Sequence, residues 1–461
     1  MRECSREALD IDQDTNVRAC GMVREGLLGA PVNQMKSSSS RAELFAVYVA
    51  YAFRYLYPLL LLPYYGRALG ADGYGVVLAG MSLSNTIWLF VNYGFSTVGA
   101  RDTVHASDAA GRAAILRSHF SARLLLCLPA LLLGCVAILA SHIFSNRLPA
   151  GLAVVMLGLG AAFNLGWYFT GSGRARISVM IEVIGFGVSL ALIFAFIHKP
   201  SDIDRVFPML LLSCLIQLFM AYWTVRKEFS GLLSGVSHAI ALIKRSTVIF
   251  IYGGTSTLLI GASTYLLSIL APASEVSAFG VAERLIAAAL SLMAPAAQIL
   301  VPRVTRLVVQ DRSGANSMMR QIFVLFFGCA TLAMLATIAL SGWLIPLVFG
   351  QGFQRTVPVL RLLAVILPVS VCTQVLAMYF LIPRKREALL ARAGVISAVV
   401  NLALAIPLAS HWGALGMASA RLGGELTLLL VLLGGMRRAD LFDELFDMGR
   451  MQIRTNELSE S

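Results

Sequence analysis

The chain has 461 residues, of which 58% are hydrophobic and only 13% are charged, and its mean hydropathy is +0.77. Soluble globular proteins carry about 25% charged residues, so this composition excludes an ordinary soluble domain and predicts an all-α polytopic membrane protein. The formal net charge of +12 does not indicate nucleic-acid binding, because Lys and Arg flank apolar segments and form no patch with interleaved aromatic residues.

Residues 1–43 are predicted to be a polar cytoplasmic tail. The tail ends near a run of four serines at 37–40, and it contains no apolar core of a secretory signal peptide. Met1, Met22 and Met35 are all candidate start sites.

Twelve apolar segments follow, each of about 20 residues, the length that a helix needs to cross the hydrocarbon core. Six form a predicted N-terminal lobe at 44–226 and six a predicted C-terminal lobe at 247–436, before a cytoplasmic tail at 437–461. The predicted spans are 44–65, 74–97, 120–142, 150–170, 177–197, 206–225, 247–270, 277–301, 321–341, 356–382, 388–409 and 413–436.

The loops between these segments differ in positive charge. Lys and Arg are concentrated in the even-numbered loops, as at Arg174 and Arg384, and are sparse in the odd-numbered loops, which hold Arg67 and Arg147. Because positively charged loops remain in the cytoplasm, we predict that the even loops and both termini are cytoplasmic.

The two lobes are predicted to be copies of one repeat. A shift of 205 residues places Tyr74-Gly75-Val76 on Phe279-Gly280-Val281, and the helix starts of the two halves also align approximately. An even number of spans separates the copies, so the lobes have the same orientation. Transporters built from such repeats bind their substrate between the repeats.

Residues 227–246 join the lobes. Apolar residues recur there at helical spacing between charged ends, which is typical of an amphipathic helix lying on the cytoplasmic leaflet. An ordinary linker is the alternative interpretation.

No feature of the sequence indicates a metal, a cofactor or an enzyme. The seven cysteines form no CxxC pair, and the six histidines lack the spacing of metal ligands. Asp202-Ile203-Asp204 could hold a metal in a glycosyltransferase, but this triplet lies in a short predicted loop, and no phosphate-binding loop accompanies it.

The first hairpin and the eighth span carry a family resemblance. The hairpin residues resemble the Wzx-type oligosaccharide and O-antigen flippases, the polysaccharide transport branch of the MATE-like multidrug/oligosaccharidyl-lipid/polysaccharide (MOP) superfamily. The matching residues are Pro58-Leu59-Leu60, Pro63-Tyr64, Arg67, Leu69-Gly70, Gly73, Gly75, Asn92, Gly94-Phe95, Phe279 to Leu285, Pro295 and Pro302-Arg303.

The resemblance implies a V-shaped pair of six-helix bundles in the bacterial inner membrane. Such a protein carries undecaprenyl-diphosphate-linked oligosaccharide from the cytoplasmic to the periplasmic leaflet by alternating access, for O-antigen, lipopolysaccharide, capsule or exopolysaccharide synthesis. Implied partners are membrane lipid, a polymerase and a chain-length regulator, with coupling to H⁺ or Na⁺. A lipid II flippase or a multidrug cation antiporter of the same superfamily is the alternative.

Arginines inside predicted spans are the candidate substrate ligands. A charge in hydrocarbon costs about 3 kcal/mol, so it normally faces a cavity or a partner. We predict that Arg54, Arg284 and Arg421 form a cationic cavity that receives the diphosphate and acidic sugars, with guanidinium hydrogen bonds to the diphosphate. For Arg421 the alternative is an ion pair with Glu425, four residues further along the same helix face.

Two further sets of residues have predicted roles in transport. Carboxylates in a low-dielectric cavity can carry protons, and the candidates for ion coupling are Glu182, Glu283 and Glu425. Proline and glycine interrupt or bend helices, and the candidates for hinges are Pro58, Pro63, Gly66 and Gly70.

Overall fold

The computed structural model describes residues 41–106, 108–228, 231, 233–250 and 261–438, with side chains from Leu60 onward except at 248, 249, 294, 295, 298, 299 and 312. Over these residues the chain forms helices and no β-strand. Eight of the described helices are long and apolar enough to cross a membrane. The predicted all-α, multi-pass class is therefore confirmed, while the number of twelve spans and the internal repeat stay predictions.

The first half of the chain contains α1 to α7, and α8 belongs to the predicted linker. Their bounds are α1 Arg41–Asn92, α2 Phe95–His105, α3 Ala109–Ala140, α4 Leu148–Ala162, α5 Gly166–Gly171, α6 Ala175–Phe196, α7 Ile203–Val225 and α8 Val236–Ile249. A 3₁₀ turn at Pro200–Asp202 precedes α7.

The second half contains α9 to α15. Their bounds are α9 Ser263–Leu270, α10 Ala273–Ser291, α11 Ala294–Gln310, α12 Arg312–Phe349, α13 Thr356–Ala364, α14 Ile366–Val375 and α15 Glu387–Arg438. A 3₁₀ turn at Gln351–Phe353 follows α12, and a π-helical turn at Leu376–Leu381 follows α14.

Two glycines interrupt the longest helices. Gly70 in α1 has φ of 72° and ψ of −179°, and Gly413 in α15 has φ of 54° and ψ of −125°. Glycine enters this region of positive φ without the steric cost that a Cβ imposes. Among the hinge candidates, the break falls at Gly70, whereas Pro58, Pro63 and Gly66 lie in the helical stretch before it.

The two halves meet mainly along α1, which packs on α4 in the first half and on α10 in the second. The guanidinium of Arg67 donates hydrogen bonds of 2.7 and 3.1 Å to the carbonyls of Leu347 and Val348, at the end of α12. Tyr74 stacks against Phe349, with 6.5 Å between ring centroids. These contacts lie at the end of the molecule that the charge pattern assigns to the periplasm.

The described part of the linker is helical. Helix α8 packs on α3 and buries Ala239 and Leu242, whereas Val236 and Ile240 are exposed. Arg245 pairs with Asp102 and ties α8 to α2. An apolar face is thus left open, and its contact with the membrane surface stays a prediction. Two residues at the start of the predicted stripe, 229 and 232, lie outside the described residues.

Candidate functional site

A cavity of about 340 Å³ lies between the two halves. Helix α1 contributes one wall through Leu78, Met81, Ser82 and Asn85, and the second half contributes the other through Gly261, Thr264, Gly280, Glu283 and Arg284. Gly280 lets α10 approach α1 closely, since a Cβ at this position would lie 3.0 Å from Cδ1 of Leu78. The close approach brings the next turn of α10, with Glu283 and Arg284, to the cavity.

Arg284 occupies this cavity as a partly buried side chain. Its Nη2 donates to Sδ of Met81 at 3.0 Å, and a thioether sulfur is a weak acceptor. Among the ion pairs between described residues, none involves Arg284. Its guanidinium therefore supplies a positive charge to the space between the halves, and its hydrogen bond to a described residue is to a weak acceptor.

Arg421 lies instead between two carboxylates. Its Nη1 is 2.7 Å from Oε1 of Glu425, and its Nε is 3.9 Å from Oε1 of Glu283. Thr264 donates a further hydrogen bond of 2.9 Å to Oε2 of Glu283. The structure thus brings together three predicted site residues from α10 and α15, and the charge of Arg421 is balanced within the protein. The i,i+4 pair with Glu425, the alternative interpretation of Arg421, is confirmed.

Two predicted site residues lie elsewhere. Glu182 is partly buried on α6, in the first half, and does not line the cavity around Arg284. Arg54 is in the helical first segment of α1, but its side chain lies outside the described residues.

The Asp202-Ile203-Asp204 triplet serves local structure. Asp202 accepts hydrogen bonds from the backbone nitrogens of His198 and Lys199, both at 3.2 Å, and pairs with Arg205. Asp204 pairs with Arg147 at 2.6 Å. Within the described ranges, no group of three His, Cys, Asp or Glu side chains could hold a metal ion.

A second cavity, of about 370 Å³, lies within the first half. It adjoins the first cavity, because Met81 and Asn85 line both. Among the described residues that line it, none is charged, and the polar and aromatic ones are Ser84, Asn85, Trp88, Asn164, Phe186, Ser189, Ser213 and Gln217. A search for charges inside spans misses these residues, and scattered uncharged polar residues give no periodic signal.

A family model and a curated relative both place the chain among proteins of polysaccharide synthesis and transport. The model of a family described as "Polysaccharide biosynthesis protein" matches residues 40–308. A relative from Shigella dysenteriae, described as "Putative O-antigen transporter", is 23% identical over 399 residues, which cover 86% of this chain and 100% of the relative.

Two solved structures share the fold. A lipid II flippase, MurJ, in an inward closed conformation has a TM-score of 0.63 at 15% identity, covering 88% of this chain and 90% of that chain. A multidrug resistance MATE family transporter of the MOP superfamily, in an inward-facing conformation, has a TM-score of 0.59 at 16% identity, covering 88% and 96%. At this identity the likeness concerns the fold.

These relatives are transporters and flippases and not enzymes, in agreement with the sequence prediction. The resemblance carried by the first hairpin and the eighth span is also confirmed. The chain belongs to the polysaccharide biosynthesis protein family and is a multi-pass membrane transporter with the fold of the MOP superfamily.

Proposed function

We propose that this protein is a flippase that carries undecaprenyl-diphosphate-linked oligosaccharide from the cytoplasmic to the periplasmic leaflet of the bacterial inner membrane. The observation that carries the proposal is the position of Arg284 in the cavity between the two halves. The family and the O-antigen transporter relative support the substrate class.

A diphosphate needs a partner of this kind to cross the hydrocarbon region. The anion loses much of its hydration, and a guanidinium replaces the lost hydrogen bonds with charge-assisted ones in a bidentate geometry. Met81 is a weak acceptor, so Arg284 can exchange this contact for phosphate oxygens at little cost. Arg54 remains a proposed second cation for the diphosphate. Arg421 is paired with Glu283 and Glu425, and its proposed role is therefore in that cluster and not in binding the diphosphate.

The arrangement of the halves supports loading from the cytoplasmic side. Contacts join the halves at the predicted periplasmic end, where Arg67 of α1 bonds to the end of α12 and Tyr74 of α1 stacks against Phe349. In an alternating-access cycle this end would separate after the substrate has bound.

The Glu283–Arg421–Glu425 cluster is the proposed coupling site. Two carboxylates share one arginine, so protonation of either carboxylate, or binding of Na⁺ to both, would change the charge balance between α10 and α15. Helix α10 carries both Glu283 and Arg284, and it therefore connects the coupling site to the substrate site. Glu182 on α6 is a separate candidate for the same role.

The cavity charge distinguishes this proposal from export of organic cations. A cation exporter would expose acidic side chains to its substrate, whereas here Arg284 faces the cavity and Glu283 is engaged by Arg421 and Thr264. Lipid II carries the same diphosphate, so a lipid II flippase remains the alternative substrate assignment. A polymerase and a chain-length regulator are the proposed partners.

The test replaces Arg284 in cells that lack the native gene. We expect Arg284→Ala to abolish surface polysaccharide and to cause lipid-linked oligosaccharide to accumulate, with Arg284→Lys restoring part of the export because the charge is kept. Arg205→Ala, at an exposed arginine outside the cavity, is the matched control. Wild-type export by Arg284→Ala at equal protein level would contradict the proposal.

A further inference from the structure

The uncharged cavity of the first half has the chemistry of a carbohydrate site. Its walls come from α1, α4, α6 and α7, and its volume of about 370 Å³ lies in the range of small-molecule sites. Its polar lining consists of hydroxyl and amide groups, which both donate and accept hydrogen bonds, as sugar hydroxyls do.

Two of its amides have free hydrogen-bonding capacity. Asn85 and Gln217 make no hydrogen bond to any other described residue. The side-chain carbonyl of Asn164 accepts a hydrogen bond from the backbone nitrogen of Gly166 at 2.6 Å, which leaves the side-chain NH₂ group as a donor. Three amides, on α1, on α7 and in the turn between α4 and α5, therefore offer donors or acceptors to one space.

Gly185 on α6 leaves room for the Gln217 side chain. A Cβ at Gly185 would lie 2.1 Å from Cδ of Gln217, so a larger residue there would displace this amide. Ser213, one turn before Gln217, donates a hydrogen bond of 2.7 Å to the carbonyl of Gly185 and holds α7 against α6. The two helices thus place Gln217 at the cavity wall.

Two aromatic side chains complete the lining. Trp88 lies one turn after Asn85 on α1, and Phe186 follows Gly185 on α6. Aromatic rings offer flat apolar surfaces against which the C–H face of a pyranose can stack. The amides therefore suit the hydroxyl groups of a sugar, and the aromatic rings suit its apolar C–H face.

The two cavities adjoin where the diphosphate is proposed to bind. Met81, which contacts Arg284, lines both cavities, as does Asn85. A diphosphate at Arg284 would therefore place the sugar bonded to it beside the uncharged cavity.

We propose that the uncharged cavity binds the sugar residue attached directly to the diphosphate, and that it selects an uncharged sugar over one bearing a carboxylate. This inference rests on the proposed function and assigns the proximal-sugar part of its substrate. Selection follows from charge, because none of the described side chains that line the cavity is cationic, and a carboxylate beside them would be desolvated without a partner.

The experiment measures binding to the purified full-length protein in lipid nanodiscs. Three probes are compared: undecaprenyl diphosphate alone, the same lipid bearing N-acetylglucosamine, and the same lipid bearing glucuronic acid. We expect the neutral sugar to tighten binding about tenfold over the bare lipid, the equivalent of about 1.4 kcal/mol, and the acidic sugar to give no gain.

Variants then separate the sugar site from the diphosphate site. Trp88→Leu and Gln217→Leu should remove the gain from the neutral sugar while leaving the affinity for the bare lipid within about twofold. Arg284→Ala should weaken binding of all three probes. Trp223→Leu is the matched control, because Trp223 lies on α7 with Gln217 but is 58% exposed and does not line the cavity.

The outcomes distinguish the two proposals. The sugar assignment is overturned if the acidic probe binds as tightly as the neutral one, or if well-folded Trp88 and Gln217 variants retain the gain. In that case Arg284-dependent binding of the bare lipid leaves the proposed function intact. Failure of the wild type to bind any of the probes would overturn both.

Discussion

Gly75 of α1 and Ala273 of α10 are in direct backbone contact between the two halves. A Cβ built on Gly75 would lie 1.9 Å from the carbonyl oxygen of Ala273. No side chain larger than hydrogen fits there unless the two helices move apart. This contact lies just after the Gly70 break, at the predicted periplasmic end.

Gly75→Ala should therefore force the halves apart at that end. Overpacking of this kind costs about 1–3 kcal/mol, and backbone atoms cannot rotate away as a side chain can. We expect a lower melting temperature in detergent and reduced polymer export. Gly187→Ala on α6 is the control, because a Cβ there meets no atom within 4 Å. Equal stability of the two variants would show that this contact is not tight in the working protein.

Arg421→Met should be strongly destabilising for a reason unrelated to substrate. The change leaves Glu283 and Glu425 without their shared cation, and breaking a buried pair costs about 3–5 kcal/mol. Adding Glu283→Gln and Glu425→Gln should restore much of the thermal stability, measured by melting in detergent.

The triple variant also tests the coupling proposal. It should fold and reach the membrane, yet lose the dependence of transport on a proton or sodium gradient in reconstituted vesicles. Persistent instability of the triple variant would contradict the charge-balance account of Arg421.

Glu275→Ala should weaken the predicted periplasmic end of the second half. Oε2 of Glu275 accepts from the backbone nitrogen of Ala414, directly after the Gly413 break, and Oε1 accepts from Arg355, both at 2.9 Å. Loss of such a helix cap costs about 1 kcal/mol. We expect a lower melting temperature, with exposed Glu387→Ala at the start of α15 as the control. A drop no larger than that of the control would argue against this capping role.

The Glu228–Arg174 pair should make stability depend on pH in the acid range. Partial burial by itself raises the pKa of Glu228, but hydrogen bonds from Arg174 and Tyr168 outweigh it and hold the pKa below the ordinary value of 4.5. The Arg174 contact is bidentate, at 2.7 and 2.9 Å. This pair therefore stabilises the fold above pH 4.5 and loses its contribution as the pH falls through the lower folded-state pKa.

Comparison of the wild type with Glu228→Gln measures this effect. The wild type should be more stable by about 1 kcal/mol at neutral pH, and the gap should shrink only below a pH of about 4.5. Asp204→Asn, which removes the more exposed pair with Arg147, is the control and should have a smaller effect. A gap that is constant down to the lowest measurable pH would rule out this linkage.

Several features of the site could be predicted from local sequence. The spacing of Arg421 and Glu425 predicts a shared helix face, and the structure joins them at 2.7 Å. Gly70 lies in a predicted turn, and α1 breaks there. In both cases the partners or the constraint lie within one or two helical turns, where the geometry is set by the helix itself.

Contacts between distant helices could not be predicted in this way. The third member of the arginine cluster, Glu283, comes from α10, and nothing in the spacing of α10 or α15 indicates which faces pack together. The uncharged cavity was missed for a second reason. Asn85, Asn164 and Gln217 resemble ordinary tolerated polar residues of membrane helices until the fold places them around one space.

The sequence by itself determined that this chain is helical, crosses the membrane many times and belongs to its family, because hydropathy over about 20 residues is a local property set by the thickness of the bilayer. Only the tertiary structure decided which cation faces the cavity. Arg284 and Arg421 are equally improbable in hydrocarbon, yet packing of α10 against α15 gives Arg421 a second carboxylate, Glu283, and packing of α10 against α1 leaves Arg284 at the cavity. A buried charge takes its role from the groups that other helices bring within a few ångströms, and their positions depend on the whole fold.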